Sequence, residues 1–66
     1  MRLIINGQDR ETTEFLKVAE LAVWLELPPF GSAIELNGRV VRKADYPQSP
    51  LKEGDRLEVV RLVGGG

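Results

Sequence analysis

An α+β fold, with one main helix packed across a mixed sheet of four to five strands, is predicted by three features of this 66-residue sequence. Apolar residues alternate with period two near both ends of the chain, as in strands with one buried face. Two Asn-Gly dipeptides, Asn6-Gly7 and Asn37-Gly38, each lie between strand-like runs, and Asn-Gly is the strongest short hairpin signal. Between those hairpins, Val18, Leu21, Ala22 and Leu25 recur at i, i+3, i+4 and i+7, the stripe of a helix with one packed side.

Residues 1–6 place Met1, Leu3 and Ile5 on one face and Arg2, Ile4 and Asn6 on the other. Gln8 to Thr13 is polar but carries two threonines, and reads as the returning, more exposed strand. The helix begins near Val18, with Lys17 a poor N-cap, and spans roughly two to three turns. Pro28-Pro29 is expected to end it, since proline cannot donate a backbone hydrogen bond and Leu27 is driven from the α region. Ala33 to Leu36 is a short strand with Ile34 and Leu36 inward, and Arg39 to Val41 returns after Asn37-Gly38. Lys43 to Pro50 suits a loop with one 3₁₀ turn, and Lys52 to Asp55 a turn with Gly54 at positive φ. Arg56 to Val63 is the last strand. If first and last strands lie side by side, both central and parallel, the helix must serve as their crossover. That is a β-grasp arrangement.

A chain this short has room for a single domain, predicted over residues 1–63, followed by a flexible Gly64-Gly65-Gly66 tail. It buries only about 60% of its unfolded surface. There is no cysteine and no histidine, so neither a disulfide nor a structural zinc site supports the fold. The hydrophobic fraction of 42% still suffices for a packed core. With 9 basic and 10 acidic residues, no basic stripe suggests nucleic acid. No apolar stretch approaches bilayer length, and Met1 leads straight into a strand, so no membrane span and no signal peptide are expected. The expectation is a cytoplasmic protein that is monomeric alone.

Absence of His and Cys also removes the commonest general base, the strongest side-chain nucleophile and the usual transition-metal ligands. A small domain has little interior in which to tune the remaining carboxylates, Lys43 or Tyr46. A carrier or binding module is therefore expected rather than an enzyme, with no cofactor or metal of its own.

Glycine runs fit an incidental terminus as well as a working one, but here they follow the last strand directly. Without side chains, such a tail threads a channel too narrow for any residue with a Cβ and takes whichever φ the channel requires. The Gly66 carboxylate is ionised at neutral pH and is a poor electrophile, so another enzyme must activate it, ATP being the usual means. The tail is expected to stay disordered until a partner holds it.

Over nearly its whole length the chain resembles the ThiS family of sulfur carriers, ubiquitin-like β-grasp proteins of thiamine thiazole biosynthesis. The matching segments are MRLIIN, the helix KVAELAVWL, the hairpin ELNGRVV and the ending GDRLEVVRLVGGG. Tyr46 falls where the family commonly has an aromatic, and Lys17 departs from the threonine often found before the helix. The resemblance implies that a ThiF-like adenylyltransferase uses ATP and magnesium to adenylate Gly66. Sulfur from a persulfide, supplied through a cysteine desulfurase, then gives a thiocarboxylate that a ThiG-like thiazole synthase consumes. Gly66 carries the sulfur, while Gly65 and Gly64 give reach and clearance.

If Leu57 and Val59 face the core, Val60 and Leu62 point outward near the tail. With Val63 and Ile4 they form a candidate partner-binding patch, although scattered exposed aliphatics are also ordinary. Trp24 is expected to cap the core rim, and Phe15, Phe30 and Tyr46 to anchor loops in the core. Rival readings are a carrier like the small subunit of molybdopterin synthase, a ubiquitin-like modifier that conjugates through Gly66, and a plain β-grasp interaction module.

Overall fold

The computed structural model describes residues 1–14, 17–28 and 30–61. Strands β1 (Arg2–Ile5) and β2 (Gln8–Glu11) form the first hairpin, followed by helix α1 (Val18–Trp24). Then come β3 (Ser32–Leu36), β4 (Arg39–Val41), a 3₁₀ helix (Lys43–Gln48) and β5 (Arg56–Arg61). Both hairpins turn where expected: Asn6 and Gly7 have φ of 51° and 79°, Asn37 and Gly38 of 51° and 87°. Positive φ at both central residues matches the right-handed twist of the strands they join.

The five strands form one sheet in the order β2-β1-β5-β3-β4. β1 and β5 run parallel, with Ile4 opposite Arg56 and Ile5 opposite Leu57, so the α1 crossover lies between them in the chain. β3 pairs antiparallel with β5, from Ser32–Arg61 to Leu36–Leu57. The β-grasp order read from the sequence is the order observed.

The core lies between one sheet face and α1. Leu3, Val18, Leu21 and Ile34 are fully buried, with Ile5, Leu51, Leu57 and Tyr46 nearly so. Ala22, Leu25, Leu36 and Val59 pack against them, so the helical stripe and the period-two alternation both point inward as expected. Each such aliphatic side chain contributes about 1.5–3 kcal/mol relative to exposure.

The helix ends differ from their sequence readings. Lys17 is the N-cap, but an ammonium has no acceptor to offer. Instead the Glu20 carboxylate accepts the Lys17 N–H at 3.0 Å, and the Ser49 carbonyl accepts the Val18 N–H at 2.8 Å. At the other end α1 stops at Trp24, before Pro28 acts. Glu26 adopts φ of 56°, its N–H donates to the Val23 carbonyl, and the Leu27 N–H donates to the Ala22 carbonyl. This is a Schellman stop, in which a left-handed residue satisfies the last carbonyls. The conformation disfavours a residue with a Cβ by about 1–2 kcal/mol, against about 0.5–1 kcal/mol of extra chain entropy lost by glycine. Glu26→Gly should therefore stabilise the domain by about 0.5–1 kcal/mol, seen as a melting temperature raised by about 3–6 °C.

Phe30 corrects an expectation: it is 85% exposed instead of anchoring a loop in the core. Its ring lies 5.3 Å beneath the Lys43 ammonium, a cation–π contact on the surface. Trp24 is half-buried, with the Arg10 guanidinium 5.3 Å over its ring. Tyr46 is buried as expected, and desolvation pushes its phenol up from the ordinary 10.0. Phe15 lies outside the described residues.

Candidate functional site

β5 leads to the terminal glycines and is the central strand of the sheet. The two Asn-Gly turns hold it as well as reversing the chain. β1 stops at Ile5 while β5 continues, and the Val59 N–H past that point donates to Asn6 Oδ1 at 2.8 Å. On the other side, the Arg56 N–H donates to Asn37 Oδ1 at 3.0 Å. Each asparagine thus supplies the turn conformation and also a backbone-like acceptor where the ladder runs out.

The start of β5 is fastened by Asp55, which is only 4% exposed. Its carboxylate accepts the Lys52 N–H at 2.9 Å and the Asn37 side-chain amide at 3.1 Å, while its carbonyl accepts the Ile4 N–H. The preceding Gly54, at φ of 85°, donates its N–H to the Arg2 carbonyl, and the Arg2 N–H donates to Glu53 Oε1. Asp55 read from sequence as an ordinary turn residue. The signal for its burial is its place immediately before a core strand, beside a positive-φ glycine.

On the open sheet face, away from α1, β5 presents Arg56, Glu58 and Val60, and β1 presents Ile4. Ile4 is half-buried and Val60 is 44% exposed, both on this face as the strand period requires. They do not form one patch. Ile4 is opposite Arg56, four residues from Val60, so about 13 Å of strand separates them. Ile4 lines a groove of about 360 Å³ with Glu35, Asn37, Arg56 and Glu58, whereas Val60 stands beside Ala33. Between the two apolar spots, Glu35 and Glu58 face each other across the β3–β5 ladder. Like charges directly opposite destabilise a sheet. Glu58→Lys should relieve that repulsion and stabilise the domain by about 0.2–1 kcal/mol in thermal melts at low salt, the gain shrinking as salt rises.

Leu62, Val63, Gly64, Gly65 and Gly66, the rest of the predicted site, lie outside the described residues. Among the described residues, no group of three or more acidic side chains is placed to hold a metal ion, and no helix is long and apolar enough to cross a membrane.

Sequence reading missed a second surface, on the α1 side of the sheet. There Val23 is 79% exposed and lines a pocket of about 310 Å³ with Leu27, Pro28, Ser32, Lys43 and Tyr46. Phe30, over which Lys43 lies, stands beside it.

Known proteins resemble the chain in both sequence and fold. It matches the ThiS family over residues 3–66. It is 36% identical over all 66 residues to a thiazole synthase of Paramagnetospirillum magneticum, of which it spans 20%. A thiazole synthase of Magnetococcus marinus is 32% identical, and there too the chain spans only about a fifth of the length. The sulfur carrier protein ThiS of Escherichia coli is 24% identical, with the match covering the whole of both chains. The crystal structure of a thiamine biosynthesis protein (ThiS) from Geobacter metallireducens superposes with a TM-score of 0.83 at 30% identity, again over the whole of both chains. With the β-grasp topology, the buried Asp55 at the head of a central β5 and a family match that runs through the final glycine, this chain belongs to the ThiS family.

Proposed function

We propose that the chain is a sulfur carrier of thiamine (thiazole) biosynthesis, and that its reactive atom is the carboxyl carbon of Gly66. The observation that carries this reading is the family match over residues 3–66, which takes in the three glycines as well as the folded body. A carboxylate does not accept a nucleophile until one of its oxygens becomes a leaving group. An adenylyltransferase supplies this by joining the carboxylate to the AMP part of ATP, with magnesium neutralising the phosphates and pyrophosphate leaving. A persulfide sulfur attacks the acyl carbon, AMP departs, and a thiol attacks the donor-side sulfur of the resulting S–S bond, forming a disulfide with the donor and releasing the thiocarboxylate.

The chain itself is the substrate of these steps, and the catalytic groups belong to its partners. A thiazole synthase takes the sulfur, a reading supported by the two relatives of that name and favoured by them over a molybdopterin-type carrier. The need for ATP supports a cytoplasmic site of action. Among the described residues Ile4 and Val60 provide contacts on the open sheet face, the acidic pair Glu35 and Glu58 favouring basic groups on a partner, and Leu62 and Val63 are proposed as further partner-binding residues next to the glycines.

The test is intact mass after incubation with ATP, magnesium, an adenylyltransferase proven active on another carrier, a persulfide donor and a thiol reductant. A gain matching replacement of one oxygen by sulfur is expected. An unchanged mass, with the control carrier loaded in the same tube, overturns the reading.

A further inference from the structure

The Tyr46 hydroxyl is buried and has no hydrogen-bond partner among the described residues. A buried phenol without a partner costs the folded state stability that a phenylalanine would not. Beside it, a monomer exposes two large apolar side chains, Val23 and Phe30, around an apolar pocket whose rim carries the Lys43 ammonium. Ser32 lines the same pocket and is the β3 partner of Arg61, the last described residue of β5. A protein that receives the chain beyond Arg61 is thereby brought against this pocket.

We propose that the pocket between the end of α1 and the 3₁₀ helix docks an apolar segment of the thiazole synthase, one carrying a carboxylate or free carbonyl. The proposal rests on the thiazole-carrier reading and adds the surface by which the synthase holds the body of the carrier. The segment's apolar side chain covers Val23 and Leu27, its oxygen accepts from the Tyr46 hydroxyl, and a carboxylate pairs with Lys43. Docking turns the hydroxyl into the pocket, a movement suited to a 3₁₀ helix, whose hydrogen bonds are weaker than those of an α-helix. The synthase is the chosen occupant because two relatives carry a segment matching this whole chain within a single polypeptide of that name. A second copy is disfavoured, since it would set Lys43 near Lys43.

The experiment pairs melting curves of the free carrier with calorimetric binding to the thiazole synthase of the same cell, for wild type, Tyr46→Phe and Phe30→Glu. Tyr46→Phe is expected to melt at or above the wild-type temperature and yet bind ~5-fold or more weakly. Phe30→Glu, at an exposed position, should keep the wild-type melting curve and bind ~10-fold or more weakly. Wild-type affinity in both variants overturns the proposal while leaving the carrier reading intact. No binding by wild type overturns the thiazole-branch reading and this proposal together. A carrier dimer in sedimentation, dissolved by Phe30→Glu, overturns it in favour of self-association.

Discussion

Deletion of Gly66 should leave a domain that melts as before and can no longer be loaded with sulfur. The shortened chain still ends in glycine with a free carboxylate, so its chemistry is unchanged and only its reach is altered. One residue of extended chain is about 3.3–3.6 Å. Reacting atoms must approach to about 3–3.5 Å in line, and a misplacement of about 1 Å can cost on the order of 100-fold. Withdrawing the acyl carbon by a whole residue therefore predicts a loss of more than about 100-fold in thiocarboxylate formation, read by intact mass. Every described element lies between Arg2 and Arg61, so the stability change should stay within about 0.5 kcal/mol. Gly66→Ala separates clearance from reach: it keeps the length and adds one Cβ, and should load more slowly but measurably. Loading of the deletion variant at the wild-type rate would show that the position of the carboxylate is not what the activating enzyme reads.

Reach measured from the body matters only if the body holds its last strand firmly. A single central strand, paired on one side by β1 and along its length by β3, provides that. The weak point is where β1 ends, since β5 beyond Leu57 loses its parallel neighbour. Asn6 closes that gap by accepting the Val59 N–H. The chain thus leads to its terminus from a strand that is held on both sides as far as Val59.

Much of this fold was legible because its signals are local. Asn-Gly states a turn type, and with the turn type comes the pairing of β1 with β2 and of β3 with β4. The spacing of Val18, Leu21, Ala22 and Leu25 states which side of α1 is buried. The features that sequence missed depend on distant neighbours. Asp55 is buried because Asn37 and Lys52 converge on it, and Asn37 is 18 residues away. Phe30 is exposed because α1 stops at Trp24, Glu26 turns the chain away in a left-handed conformation, and the following loop leaves the ring outside the core, against Lys43. Hydrophobicity predicts burial one residue at a time, and has no means of saying where the loop after α1 places the ring relative to the core. For the site, the period of β5 put Val60 on the outer face, but parity says nothing of distance along a strand. Ile4 and Val60 share a face and yet lie too far apart to form one patch.

Asp55→Ala should be the most damaging single change outside the apolar core. The carboxylate accepts from the Lys52 N–H and the Asn37 amide in a site only 4% exposed. Hydrogen bonds to a charged group contribute about 1.5–3 kcal/mol each, and donors left unpaired add their own desolvation cost. A net loss of about 2–4 kcal/mol is expected, out of the roughly 3–10 kcal/mol available to a domain of this size. Melting should fall by about 10–25 °C, and at the low end of that stability range the variant would be largely unfolded at 37 °C. Asp55→Asn retains one acceptor and the shape, and should lose less than half as much. Asn37→Ala removes the amide donor and also the acceptor for the Arg56 N–H, so it should be nearly as harmful. Because the two residues share one bond, the double variant should lose about 1 kcal/mol less than the sum of the singles. Strict additivity would mean that Asp55 and Asn37 act separately, and that the turn after β3 and the start of β5 are not fastened to each other by this pair. A melting change of only a degree or two for Asp55→Ala would go further, leaving the backbone ladder alone to hold the head of the strand that leads to the glycines.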